Sequence, residues 1–101
     1  MISFAEQGGD VTPEEFNTTA LITEDSNRKT VDVRPFGDRQ GEAVDYYLYD
    51  LCRKIADPTF TISKPIVVLH ESGTVFPPTA MDWLKNLLAL GVRIGIQPAD
   101  S

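Results

Sequence analysis

Apolar and polar positions alternate with different periods in different parts of the chain. Residues 66–69 are Ile-Val-Val-Leu, an unbroken apolar run rich in β-branched side chains. Four residues are too few for a helix, and such a run suits a strand covered on both faces. Gly73 and the Pro77-Pro78 pair bound it. Proline is tolerated in the first turn of a helix, where its missing N–H would have no partner anyway. A helix is therefore predicted to start near Pro78. At about 100° per residue, Asp82, Lys85, Asn86 and Ala89 fall on one side, while Ala80, Met81, Trp83, Leu84, Leu87, Leu88 and Leu90 share the other half. That arc is wider than an ordinary surface stripe and is read as core packing. Gly91 stands where a left-handed C-terminal cap is expected. Val92, Ile94 and Ile96 then alternate with Arg93, Gly95 and Gln97, the pattern of a half-buried strand.

Upstream, residues 2–5 offer a short strand ended by Gly8-Gly9. Thr12-Pro13-Glu14-Glu15 reads as a helix start: Thr12 as N-cap, Pro13 at the first helical position, Glu15 completing a capping box. Val11 and Phe16 have the spacing of a hydrophobic staple. Asn17-Thr18-Thr19 keeps this helix short. Two β-prone runs, 19–24 and 29–36, flank a polar turn at 25–28 and predict a hairpin. Val31 and Val33 face one way, Asp32 and Arg34 the other, and Pro35 ends the second strand or places it near an edge. Residues 37–41 read as a loop. A long helix follows, from Gly41 or Glu42 to Ala56, with Val44, Leu48, Leu51 and Ile55 as its buried stripe. Asp57-Pro58 ends it. Residues 59–63 alternate, as a short strand or an extended linker.

These elements predict one small α/β domain spanning residues 1–101. Its sheet is mixed and mostly parallel: a β-hairpin, then β-α-β-α-β. Two strands joined by a helix of this length are parallel with a right-handed crossover. If the strand at 65–71 lies between those at 29–36 and 92–97, both helices fall on one face of the sheet. The other face then carries Asp32, Arg34, Arg93 and Gly95 around two residues of the 66–69 run. Such a polar-rimmed apolar strip calls for cover by residues 1–24, by a second copy of the chain, or by another protein.

Composition narrows the class. The 101 residues are 42% hydrophobic and 24% charged, which describes a globular chain with one modest core. No apolar run is long enough to span a bilayer, and no secretory signal pattern is visible. The single Cys52 excludes an internal disulfide framework and fits a reducing, cytoplasmic setting. A net charge of −6 repels phosphates and anionic membranes, so nucleic acid and membrane are not expected partners, whereas a basic or mixed protein surface is.

Candidate chemistry is sparse. His70-Glu71-Ser72-Gly73 lies at the carboxyl end of the central strand, where open α/β sheets bind ligands. His70 could serve as a base and Ser72 as a nucleophile, but no Gly-x-Ser-x-Gly elbow, P-loop or Gly-x-Gly-x-x-Gly accompanies them. One His and one Cys match no metal spacing, and no cofactor motif is present. Tyr46, Tyr49 and Arg53 fall together on the long helix, opposite its buried stripe and near Glu42 and Asp50. Tyrosine and arginine are enriched where proteins touch, because they bury area with few rotors and keep a polar tip. The favoured reading is a small acidic intracellular binding protein without catalysis, an adaptor, inhibitor or immunity-like factor. Its partner-binding residues would be Tyr46, Tyr49, Arg53, Asp32, Arg34 and Arg93, with a homodimer among the arrangements. On this reading, reversing charge at Asp45 and Asp50 weakens partner capture and leaves the fold intact. The competing readings are a small-ligand or nucleotide-binding Rossmann-like domain, an incomplete enzyme subunit using His70, Glu71 and Ser72, and a structural component of a larger assembly.

Overall fold

In a computed structural model, described here for residues 11–99, the three predicted parallel strands lie side by side. The element order is α1 (Pro13–Thr19), β1 (Leu21–Glu24), β2 (Lys29–Asp32), a 3-10 segment (Arg34–Arg39), α2 (Gln40–Ile55), β3 (Ile66–His70), α3 (Pro78–Ala89) and β4 (Ile94–Pro98). The sheet runs β1-β2-β3-β4, antiparallel at its first pair and parallel at the other two. The strand expected at residues 2–5 lies outside the described residues.

Register decides the two faces. Val31, Val68 and Ile96 are aligned, as are Lys29, Ile66 and Ile94. Ile66 and Val68 are buried, and the residues between them on β3, Val67 and Leu69, are only partly so. Two adjacent right-handed crossovers carry α2 and α3 to the same side, and their mutual packing is the largest between elements. Val31, Val68, Leu48 and Leu87 form the fully buried centre beneath them. A leucine so placed contributes about 1.5–3 kcal/mol.

Local signals close the elements as expected at several joints. The Thr12 hydroxyl accepts the Glu15 N–H at 3.1 Å, and Val11 and Phe16 are both buried. At the end of α3, Gly91 has φ +86°, its N–H donates to the Leu88 carbonyl, and the Val92 N–H donates to the Leu87 carbonyl, both at 3.0 Å. These two bonds are the Schellman pairing that satisfies the last carbonyls of a helix. In the hairpin turn, the Asp25 carboxylate accepts the Asn27 and Arg28 N–H groups at 2.7 and 2.9 Å.

Other expectations are corrected. β2 stops at Asp32 rather than reaching Phe36, because the Asp32 carboxylate takes the Arg34 N–H at 3.0 Å and Pro35 has no N–H to continue a ladder. Residues 37–41 are not a loop: the 3-10 segment turns at Gly37 (φ 63°) directly into α2. Of the two readings of residues 59–63, the linker is the one found, without strand pairing. On α3, Ala80 and Leu87 are buried, but Leu88 and Leu90 are 51% and 56% exposed, so the apolar arc exceeds what the core takes up.

α1 and the 3-10 segment build an aromatic layer over α2. Phe16 stacks on Phe36 and Tyr47 with centroids 5.9 and 5.5 Å apart and meets Tyr46 at 5.2 Å. Arg39 closes this layer by donating to both carboxylate oxygens of Glu15, one at 2.8 Å. The Tyr47 hydroxyl is buried without a hydrogen-bond partner, and burial pushes its pKa upward. Tyr47→Phe is therefore expected to raise stability by about 1 kcal/mol in urea unfolding, since it deletes a desolvated hydroxyl and keeps the ring. A loss of stability would show that the hydroxyl is satisfied in solution.

Gly41 lies where the β3–α3 loop crosses the start of α2. A Cβ there would overlap the Val75 carbonyl oxygen and sit 3.3 Å from the Phe76 Cα. Gly41→Ala should destabilise by roughly 1–3 kcal/mol in the same assay, because backbone must move. Val75→Ser, which alters a side chain 85% exposed, should leave the unfolding midpoint in place.

Candidate functional site

The carboxyl end of β3 is tied down by backbone rather than opened around a ligand. Gln40, buried at the first turn of α2, accepts the Glu71 N–H at 2.9 Å and donates to the Gly37 carbonyl at 2.8 Å. The Glu71 carbonyl receives the Thr74 hydroxyl at 2.6 Å and lies 2.7 Å from His70 Nδ1. A carbonyl can only accept, so Nδ1 is the protonated nitrogen of His70. The ring is 8% exposed and meets Phe76 edge-on at 4.8 Å. Glu71 and Ser72 are exposed on the turn that Gly73 closes with φ +85°. His70 Nδ1 is thus held by the Glu71 carbonyl, and the three residues are consecutive on a tight turn rather than converging from separate elements.

The proposed contact residues of α2 separate into three environments. Tyr46 is not on an open face: α1 covers it, leaving 5% exposed, and burial pushes its pKa upward. Tyr49 is partly buried against Trp83 of α3, with centroids 5.4 Å apart. Arg53 is exposed, with its guanidinium donating to Asp50 at 2.8 Å, and Lys54 meets the other Asp50 oxygen at 2.9 Å. The side of α2 opposite its aliphatic stripe is therefore a seat for α1 and α3.

On the sheet face away from the helices, Thr30, Val67 and Gly95 align across the strands, followed by Asp32, Leu69 and Gln97. Arg34 folds back on Asp32 through Nε at 3.0 Å and Nη2 at 2.7 Å, and this pairing holds the Asp32 carboxyl below its usual range. Arg93 is exposed at the opposite, amino end of the strands, donating to the Ser63 carbonyl at 3.2 Å. The charged residues predicted as rim do stand at the rim, but at its two ends. Among the described residues, α1 packs on α2 and β1 extends the sheet sideways, so neither lies over Val67 and Leu69.

Two adjoining clefts, each ≈ 210 Å³, lie at the amino ends of the strands around Phe60, Ile62 and Lys64. Both are below the roughly 300 Å³ of a small-ligand pocket, and Lys64 is occupied by Glu24 and the Asp25 carbonyl at 2.8 and 2.7 Å. No group of three or more His, Cys, Asp or Glu residues suited to a metal occurs among the described residues. No described helix is long and apolar enough to cross a membrane. No protein-family model matches the chain, and comparisons with curated proteins and with solved structures return no match.

One polar cluster escaped the sequence reading. Asp45 is 1% exposed between α2 and α3, where its carboxylate accepts the Thr79 hydroxyl at 2.7 Å and the Trp83 indole N–H. Its signal was a lone acid inside the run Ala43-Val44-Asp45-Tyr46-Tyr47-Leu48. Charge reversal at Asp45 thus strikes the helix interface rather than a contact surface. Burial pushes this carboxyl above its usual range, the two hydrogen bonds opposing. A carboxyl whose folded-state pKa is raised holds its proton more tightly when folded, so its contribution favours folding at low pH and is lost as pH rises through that raised value. Asp45→Asn keeps an acceptor oxygen and removes the charge. Relative to wild type it should be more stable at neutral pH, with the gain shrinking on acidification as the wild-type carboxyl also becomes neutral. Asp45→Ala loses the acceptor and should cost about 1–3 kcal/mol at acid pH, with a smaller cost at neutral pH, because it too removes the buried charge. Urea unfolding at the two pH values checks both, and an Asn gain independent of pH would contradict the assigned titration.

Proposed function

We propose that this chain is a small acidic protein-binding module that acts by contact rather than by catalysis. The observation that carries the reading is the sheet face of Thr30, Val67, Leu69 and Gly95, which stands partly exposed with both long helices on the other side. An apolar strip with charged groups at its ends has the make-up of a contact patch, where a desolvated centre supplies affinity and the rim sets orientation. A net charge of −6 favours a partner with a basic or mixed surface. Arg93 and the Asp32–Arg34 pair supply the rim. Arg53 and the partly exposed Tyr49 belong to the helical side and serve as the comparison surface. The small-ligand reading at His70, Glu71 and Ser72 has less support, because the three are consecutive on one tight turn and, among the described residues, no group from another element converges on them to enclose a ligand.

Quantitative capture from the native source tests this. Wild type, Val67→Lys and Arg53→Glu are compared after far-UV circular dichroism shows each folded. The same captured protein should fall about 30-fold with Val67→Lys, the loss of a central contact worth about 2 kcal/mol, and less with Arg53→Glu. Its binding should weaken as salt rises. Capture unaffected by Val67→Lys and lost with Arg53→Glu would move the contact to the helical side and overturn the sheet-face reading.

A further inference from the structure

We infer that two copies of this chain join through β4 into one continuous eight-stranded sheet, a contact independent of what covers the broad sheet face. The argument begins with backbone valence. The Ile66 N–H donates to the Arg93 carbonyl at 2.8 Å and the Ala99 N–H donates to the His70 carbonyl at 2.8 Å. In a parallel ladder this parity turns the peptide groups of residues 93, 95, 97 and 99 toward β3. Those of Ile94 and Ile96, with the Pro98 carbonyl, then point outward, and β4 is the edge of the described sheet.

Side chains beside that edge are apolar. Trp83 of α3 faces α2, where it meets Asp45 and Tyr49. At about 100° per residue, Met81, Leu84 and Leu88 lie on the opposite flank, over β4 and beyond it. Leu88 is 51% exposed, Met81 and Leu84 are partly buried, and Ile94 and Ile96 of β4 are partly exposed, the last four packing against the same core. Ile94 and Ile96, the outward positions within β4, carry no lysine, charge or bulge to keep the edge from pairing, and the protective proline, Pro98, stands only at its last residue.

The edge is complementary to itself. A two-fold axis perpendicular to the sheet at Gly95 pairs β4 with its copy antiparallel. Ile94 then faces Ile96 of the second copy in a pair that exchanges both N–H···O bonds, and Ile96 faces Ile94 likewise. Gly95 faces Gly95 across the axis, and a Cβ there would meet nothing in its own chain. Arg93 falls opposite the neutral Gln97, so no like charges are opposed. Pairing stops at both ends by itself: Pro98 has no N–H, and the Val92 N–H is already committed to the Leu87 carbonyl. The same axis keeps both pairs of long helices on one side and brings the two Met81–Leu84–Leu88 stripes together. The partly exposed faces of the two sheets become one surface of twice the width. Such an interface is isologous, as closed dimers require.

Sedimentation equilibrium of the full chain, from micromolar to millimolar, tests this. The expected species is a dimer of twice 11.2 kDa. Leu88→Glu alters an exposed side chain, and Ile96→Pro removes an N–H that β3 does not use. Each should raise the dissociation constant at least about tenfold, while Ile22→Glu on the β1 edge should leave it unchanged. A wild-type chain that stays monomeric at millimolar concentration overturns the inference, as does a dimer insensitive to Leu88→Glu or dissolved by Ile22→Glu. Should Ile96→Pro fail to fold, Leu88→Glu decides alone. None of these readouts depends on a captured partner.

Discussion

Parallel pairing of β3 with a neighbour on each side is the constraint from which the rest of the architecture follows. Its peptide groups bond β4 at even residues and β2 at odd ones, so the strand has no free edge. A connection between adjacent parallel strands must cross over the sheet, and the crossover has one hand. Two such crossings in sequence order put α2 and α3 on one side. That single fact buries Ile66 and Val68, leaves Val67 and Leu69 partly open, and sets α2 against α3 along their length.

With α2 lodged in that position, its second flank needs cover as well. Seven residues of α1 supply it through Phe16, which is seated among Phe36, Tyr46 and Tyr47. Helix α1 is too short to be stable alone, so its Thr12 cap, the Val11–Phe16 staple and the Glu15–Arg39 pair matter chiefly as devices that place Phe16. Polar groups inside this helical layer are costlier. Asp45 is retained with two donors on it, and its charge still opposes burial. Pairing of this kind is weak as a source of stability but specific in geometry. It fixes Thr79 and Trp83, and hence the rotation of α3 that points Leu84 and Leu88 toward the β4 edge.

The two surfaces put forward for contact have different physical origins. The broad sheet face exists because the described helices are all on the other side. The β4 edge exists because the described sheet ends there, beside the partly exposed apolar flank of α3 that the proposed pairing uses. Acidic net charge acts on both only at a distance, by steering basic surfaces inward and repelling phosphates. By contrast, the His70 turn spends its polar groups on holding the β3–α3 loop against the Gln40 end of α2, where the absence of a side chain at Gly41 lets the Val75 carbonyl come close.

Local and periodic features were legible in the chain itself. The helix start at Pro78, the left-handed Gly91, the Thr12 cap, the hairpin and the alternation of β4 each depend on a few neighbouring residues, whose conformational preferences act over one turn or one pleat. Strand order was a condition of the sequence reading and not a result of it: handedness places both helices on one side once β3 lies between β2 and β4, and the pairing in the structure meets that condition. Burial on the far side of α2 did not follow. Tyr46 and Asp45 lie off the aliphatic stripe, and nothing in their immediate neighbours announces that α1 and α3 will close over them. The exposure of Leu88 and Leu90 was likewise settled by long-range packing, whereas β2 ends at Asp32 through a local bond, its carboxylate taking the Arg34 N–H, that alternation alone does not show. Periodicity tells which residues share a face, whereas only the placement of other elements decides how many faces are covered.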